Sequence, residues 1–338
     1  MIVEQEDIQR ALETLRPVWG RLDGARIFMT GGTGFIGRWM LEVLAQSPAR
    51  VEVVLLSRDP QGFARRAPHL AKRFQMTAGC ITGFDEPDGH FTHVIHGATD
   101  ASAHMTEHNP KGMFDTIVGG TCRVLDFACR HGNSRVLFMS SGAVYGVLPP
   151  ELSHVDEGWL GGPDPRDPRS AYAEGKRAAE TLCAIYGKQS GLDVVTARIF
   201  ALLGPMLPLD IHFAAGNFIR DAMAGRPIRI QGDGRPVRSY LYAADLAVWL
   251  WTMLAEAAPG SVYNCGSEEA VSIRELACRI AAVLGGPKVE VLGRPDSGWN
   301  PGRYVPSTHA IRTDLGLCAT VGLDDAIRRT ALANGWTS

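Results

Sequence analysis

The run Thr30-Gly31-Gly32-Thr33-Gly34-Phe35-Ile36-Gly37 decides the fold. It follows Arg26 to Thr30, which reads as a short buried strand, and it opens Gly34 to Gln46, which has helical periodicity. Strand, glycine-rich turn and helix in that order make a cradle for a dinucleotide pyrophosphate. Gly31 permits the tight turn, Gly34 lets backbone N–H groups approach the phosphates, and Gly37 lets helix pack on strand. The helix N-terminus adds a field that favours phosphate. The cofactor contacts expected here are Gly31, Thr33, Gly34, Phe35 and Ile36, with Arg38 just beyond.

Outward from this run, apolar strands alternate with helices. Val51 to Ser57, His93 to His96, Arg135 to Met139 and Asp193 to Ile199 read as strands, and Gly119 to Arg130 and Ala171 to Lys188 as helices. The pattern predicts an α/β fold, a Rossmann-type doubly wound parallel sheet covered on both faces. Residues 7 to 19 read as a helix packed outside that fold. After Ile199 the texture changes. A short helix at 217 to 224, a strand before Gly232, an amphipathic helix from Ala243 to Ala258, a strand at Ser261 to Asn264, a helix from Ser272 to Leu284 and two terminal helices are expected. The expected division is a leading helix at 1–24, an NAD(P)-binding domain at 25–200 plus 236–266, and a smaller interleaved substrate part at 201–235 plus 267–338.

Composition excludes several function classes. The chain has 338 residues and a net charge of −2, so no basic stripe points to nucleic acid. Seven cysteines lie at irregular spacing without Cys-x-x-Cys, which reads as reduced thiols in a cytoplasmic protein. The acidic start has no signal-peptide pattern, and the most apolar run, Leu246 to Ala255, is too short to span a bilayer. No membrane association is expected. His104 and His108 flank Glu107, but no third ligand is evident, and no metal is expected. Nucleophile-elbow and Walker patterns are missing, so hydrolase and phosphate-transfer readings have no support.

Two further features carry chemistry. The second strand ends Leu55-Leu56-Ser57-Arg58, without an acidic residue in line to accept ribose hydroxyls. Ser57 and Arg58 suit a 2′-phosphate, and Arg38 reaches towards it, so NADP is expected, with NAD the alternative if Arg58 only stacks on adenine. Tyr172 and Lys176 stand four apart on one helix face, with Ser140-Ser141 upstream at a strand end. A nearby ammonium favours the phenolate. Tyr172 then exchanges a proton with a substrate hydroxyl, Ser141 holds the same oxygen, and Lys176 holds the nicotinamide ribose. A non-catalytic dinucleotide-binding regulator is disfavoured by the intact trio.

With these pieces in order, the chain resembles the extended short-chain dehydrogenase/reductase family, specifically its nucleotide-sugar epimerases, dehydratases, decarboxylases and ketoreductases. The resemblance runs from about residue 25 to the end. It includes Val94-Ile95-His96-Gly97-Ala98, Ser140 to Gly146, Gly204-Pro205, Gly232 to Leu246, Tyr263 to Ser267 and Arg303-Tyr304-Val305-Pro306. It implies a nucleoside diphosphate sugar as substrate, Ala98 beside the cofactor, Asn217 and Phe218 along the nucleotide, and Arg238 and Arg303 on the pyrophosphate. The alternative for Arg238 is a structural ion pair with Asp233 or Asp245. Such enzymes commonly form homodimers. Three departures stand out. Ala201 replaces a usual asparagine, Cys80 sits where an adenine-binding aspartate is expected, and Gly142-Ala143 replaces the acidic pair of the 4,6-dehydratases and the glutamate of the decarboxylases. The expectation is a 4-epimerase working through a transient 4-keto sugar, with an NADPH-dependent 4-ketoreductase as the alternative.

Overall fold

The computed structural model describes residues 4–99, 107–132, 134–210, 214–295, 300 and 302–337. His104 lies outside the described residues. In chain order the sheet strands are β1 Arg26–Thr30, β2 Glu52–Ser57, β3 Gln75–Cys80, β4 Gly83–Phe84, β5 His93–His96, β6 Arg135–Ser141 and β7 Val194–Ile199. Val262–Cys265 completes an eight-stranded sheet beside β7, in the order Val262–Cys265, β7, β6, β5, β1, β2, β3, β4. Every neighbouring pair is parallel except β3 with β4. This is the expected doubly wound sheet. The chain runs from β1 out to β3 and then returns to β5 on the other side of β1. The crevice beyond the carboxyl ends of β1 and β5 is therefore the switch point where such sheets bind ligands.

Helices cover both faces. Pro110–Arg130 and Ala171–Ser190 pack over one, around Phe28, Phe127 and Phe138. The other face holds α1 (Gln5–Thr14), α2 (Arg16–Leu22), α3 (Phe35–Ala45) and Ala243–Glu256. The last of these reads as amphipathic, yet every residue from Ala243 to Leu254 is buried. It lies between the sheet and the N-terminal helices, so its two tryptophans are core, and Trp251 donates to the Met40 carbonyl.

Other differences have local causes. The leading helix divides after Thr14 because Pro17 occupies the first turn of α2. The helix before β6 begins at Pro110, capped by the Asn109 side chain, well ahead of its apolar stretch. Sequence reading found no strand between 57 and 93. β3 is there, but most of its residues are half-exposed or exposed, so it has no apolar run to detect.

The N-terminal helices are tied down by one buried carboxylate. Asp7 is fully buried, accepts from Tyr242 Oη at 2.5 Å and Arg10 at 3.1 Å, and pairs with Arg329. Asp7→Ala would leave the Tyr242 hydroxyl without its acceptor and the Arg329 guanidinium with the exposed Glu6 at 4.0 Å in place of a buried carboxylate. It should cost about 3 kcal/mol in chemical denaturation, the scale for breaking a buried pair.

Candidate active site

The glycine turn makes a close backbone approach to the end of β5. Gly31 has φ +76°, and a Cβ there would lie 2.5 Å from the Gly97 carbonyl carbon at the end of β5. At Gly37 a Cβ would stand 2.4 Å from the Gly31 oxygen, which explains why helix and strand pack so tightly. Gly34 differs. Its Cβ would meet only the Gly31 oxygen, at 3.4 Å. Gly34 caps α3, and no side chain bonds the first N–H groups of that helix. Those donors face open space, and Gly31 and Gly34 line both adjoining cavities. The cradle therefore fits a dinucleotide pyrophosphate.

The smaller cavity, about 200 Å³, brings together Thr33, Ser57, Arg58, Cys80, Ala98 and Thr99. The carboxylate of Asp59 caps the helix Pro60–Arg66, accepting from the Gly62 N–H at 2.8 Å. Arg38 is half-buried and outside that lining. Burial disfavours its charge, Glu42 opposes this and Arg66 adds to it.

The larger cavity, about 790 Å³, is bounded by Phe35 and Ile36 on the cofactor side and by Ser141, Tyr172, Lys176, Arg238 and Tyr304 elsewhere. Ser141 ends β6, and the other two catalytic candidates project from the Ala171–Ser190 helix. Burial pushes the Tyr172 phenol up, and a hydrogen bond shared with Ser141 opposes the shift. Lys176 is only 3% exposed, and its Nζ donates to the Met139 carbonyl at 2.7 Å. Burial pushes it down to about 8. The lowering of the phenol expected from this ammonium together with a cationic nicotinamide is not produced by the ammonium alone. Lys176 is turned to a backbone carbonyl, and desolvation of the ring prevails.

Tyr304 is a site residue that sequence reading did not single out. It lies against Ser141, burial pushes its phenol up, and Tyr172 pushes it further. It sits on a two-residue strand, too short to show a pattern. That strand, Arg303–Tyr304, runs parallel to Val237–Arg238 with Arg238 opposite Tyr304. Arg238 lies over the Tyr304 ring at 5.9 Å. The ion-pair alternative for Arg238 fails, because Asp233 pairs with Arg235 and Asp245 accepts from Thr320 and Val321. Arg303 is not brought to Arg238. Alternation along the strand sends it to the other face, where it reaches the Ser153 carbonyl at 3.5 Å. Nor do Asn217 and Phe218 line the cavity. Ala214 and Ala215 of their helix do, while Phe218 packs in the core.

No Asp or Glu is among the described lining residues, whereas Arg169, Lys176 and Arg238 are. A side chain at position 142 is sterically barred, since a Cβ would stand 2.6 Å from the Phe200 ring. Among the described residues no cluster suits a metal ion, and no helix is long and apolar enough to cross a membrane.

The model of the NAD dependent epimerase/dehydratase family matches residues 27–266. The chain belongs to that family. It is an enzyme of the extended short-chain dehydrogenase/reductase type, and NAD dependence is the family's property. UDP-glucuronic acid decarboxylase 1 of Xenopus tropicalis is 31% identical over 313 residues, 91% of this chain and 72% of that protein. Among solved structures, UDP-glucose 4-epimerase of Thermus thermophilus, in complex with NAD, is 26% identical with TM-score 0.76, covering 92% of this chain and 100% of that one. The Thermotoga maritima UDP-glucose 4-epimerase shares the fold, with TM-score 0.78 at 21% identity over 91% of this chain and 98% of that one.

Two outcomes follow from the geometry. Gly31→Ala should destabilise the protein by about 2 kcal/mol or more, because φ is positive and the backbone opposite cannot yield. Gly34→Ala should leave stability within about 1 kcal/mol yet weaken dinucleotide binding at least about tenfold, as read by denaturation and by fluorescence titration. For Lys176, the unfolded chain holds its proton up to the ordinary lysine range, while the folded chain releases it near 8. Stability from this group therefore rises with pH between those values. Lys176→Met should melt higher than the parent at pH about 7, and calorimetry should show that advantage shrinking towards pH about 10.

Proposed function

We propose that this enzyme inverts C4 of a nucleoside diphosphate sugar through a transient 4-keto sugar. The observation behind this reading is the pairing of Ser141, Tyr172 and Lys176 with a cavity wall whose described residues include no carboxylate. Ser141 holds the C4 oxygen, and Tyr172 takes its proton and later returns it. Bound in the cavity, the dinucleotide supplies a reversible hydride acceptor whose positive charge favours the phenolate. Lys176, anchored on Met139, holds the nicotinamide ribose. Arg238 and Arg169 give the wall the positive charge a diphosphate needs. The larger cavity leaves room for the sugar ring to turn over between the two hydride transfers.

The relatives' named decarboxylation would require a proton donor at the carbon that loses CO2, and position 143 is alanine where a glutamate would serve. A 4-ketoreductase is the second reading. Ser57 and Arg58 line the adenosine end while Asp59 is committed as a helix cap, which favours NADP(H), the form reductases consume. We assign NADP as the preferred cofactor on the same ground.

The test is incubation of purified enzyme with UDP- and dTDP-hexoses and UDP-glucuronic acid. Products are read by chromatography, reduced cofactor by absorbance and CO2 by trapping. An epimerase converts C4 isomers with no net change in cofactor, and Tyr172→Phe lowers kcat by about 100-fold or more. Stoichiometric cofactor oxidation establishes the reductase instead, and CO2 release overturns both. Arg58→Asp should shift preference towards NAD by about tenfold.

A further inference from the structure

On the Ala171–Ser190 helix, Glu180 follows Lys176 by four residues, as Lys176 follows Tyr172, so the three share one face. Glu180 accepts from Ser140 Oγ at 2.5 Å, and from Arg198 Nε at 3.1 and 3.2 Å and Nη2 at 2.7 Å. Both charged side chains are only 15% exposed. Ser140 and Arg198 are opposite one another on β6 and β7, so the carboxylate clamps the end of the strand that presents Ser141. The chain of contacts continues. Arg198 Nη1 donates to Tyr145 Oη at 2.9 Å, Tyr145 donates to Asn264 Oδ1 at 2.7 Å, and Asn264 Nδ2 donates to the Ser307 carbonyl at 3.1 Å, close after Tyr304.

We propose that Glu180 is a positioning residue for the reaction: held by Arg198, it fixes the Ser140–Ser141 strand end and keeps Lys176 an ammonium. A buried ion pair is weak evidence of stabilisation, since apolar replacements of like size often do as well. Its place beside the catalytic group calls for another role. Lys176 is faced by Glu180 and Cys183 from its own helix, on which Tyr172 stands one turn earlier, by His96 from β5, and by the Phe138 ring and Met139 carbonyl from β6. Burial pushes the Cys183 thiol up to about 12 and His96 down to about 3, so both are neutral at working pH. The Tyr172 phenol is likewise held protonated. Glu180 is then the one anion acting on Lys176 among the described residues, and it opposes the desolvation that strips the lysine of its proton.

The inference rests on the hydride-transfer reading of Ser141, Tyr172 and Lys176, but not on which sugar is turned over. Its test is Glu180→Gln, which removes the charge and keeps the shape. The chain has five lysines, Lys72, Lys111, Lys176, Lys188 and Lys288, so the Cε signals of isotope-labelled lysine can be followed by NMR across pH and Lys176 assigned by Lys176→Met. The Lys176 midpoint should fall by about half a unit or more. An unchanged midpoint overturns the proposal, and this arm needs no substrate, so it decides even if no sugar is turned over. With a substrate in hand, the alkaline limb of kcat/KM should move down by the same amount, and a uniform fall at all pH overturns it. Should Glu180→Gln not fold, Glu180→Asp draws the charge back and should move the midpoint the same way by less; no movement overturns the proposal. Ser140→Ala cuts one clamp but keeps the charge, and an equal midpoint shift in that variant also overturns it.

Discussion

The meeting of Gly31 with the backbone at Gly97 is the constraint on which the site depends. β1 and β5 are neighbours in the sheet but far apart in sequence, and the turn after β1 meets the chain leaving β5 at this contact. With no Cβ at 31, the first turn folds back sharply enough to start α3 directly over the crevice. The uncapped N–H groups of α3 then face the crevice with the polarity an anion requires. Gly37 repeats the device one turn later by letting the helix settle on the turn itself. Gly34 answers to the ligand, since the protein around it leaves room for a side chain.

The reacting groups occupy a site where burial outweighs charge. Tyr172 is pushed up, and Lys176 is pushed down to about 8. The phenol stays neutral, while the lysine remains largely an ammonium at neutral pH but gives up its proton far more readily than an exposed one. The positive wall formed with Arg169 and Arg238, with no carboxylate among the described lining residues, suits anionic ligands and leaves proton exchange to the phenol and the serine hydroxyl. The pair Glu180–Arg198 supplies anionic support from outside the cavity, where it does not repel a diphosphate.

How much of the site was legible varies by residue. The glycine turn, Ser141, Tyr172 and Lys176 were readable because each is a short-range pattern: a turn geometry, a strand end, an i,i+4 pair. Of the two arginines expected on the pyrophosphate, Arg238 lies on the cavity wall and Arg303 does not, although both stand on two-residue strands. Which face each takes depends on strand pairing that no local pattern records. Phe218 read as a ligand contact and is core, because the helix rotation is set by packing against the rest of the protein. Tyr304 went unread for the converse reason: its neighbours Ser141 and Arg238 are remote in sequence.

The sequence by itself determined the alternation of strands and helices, the phosphate cradle and the spacing of phenol and amine, since these follow from backbone geometry over a few residues. Tertiary structure alone decided the protonation balance, the turning of Lys176 to the Met139 carbonyl, the exclusion of any side chain at Gly142 by Phe200, and the clamp from Glu180 to Asn264. Those depend on desolvation and on contacts between segments distant along the chain. Both exist only once the sheet has closed around them.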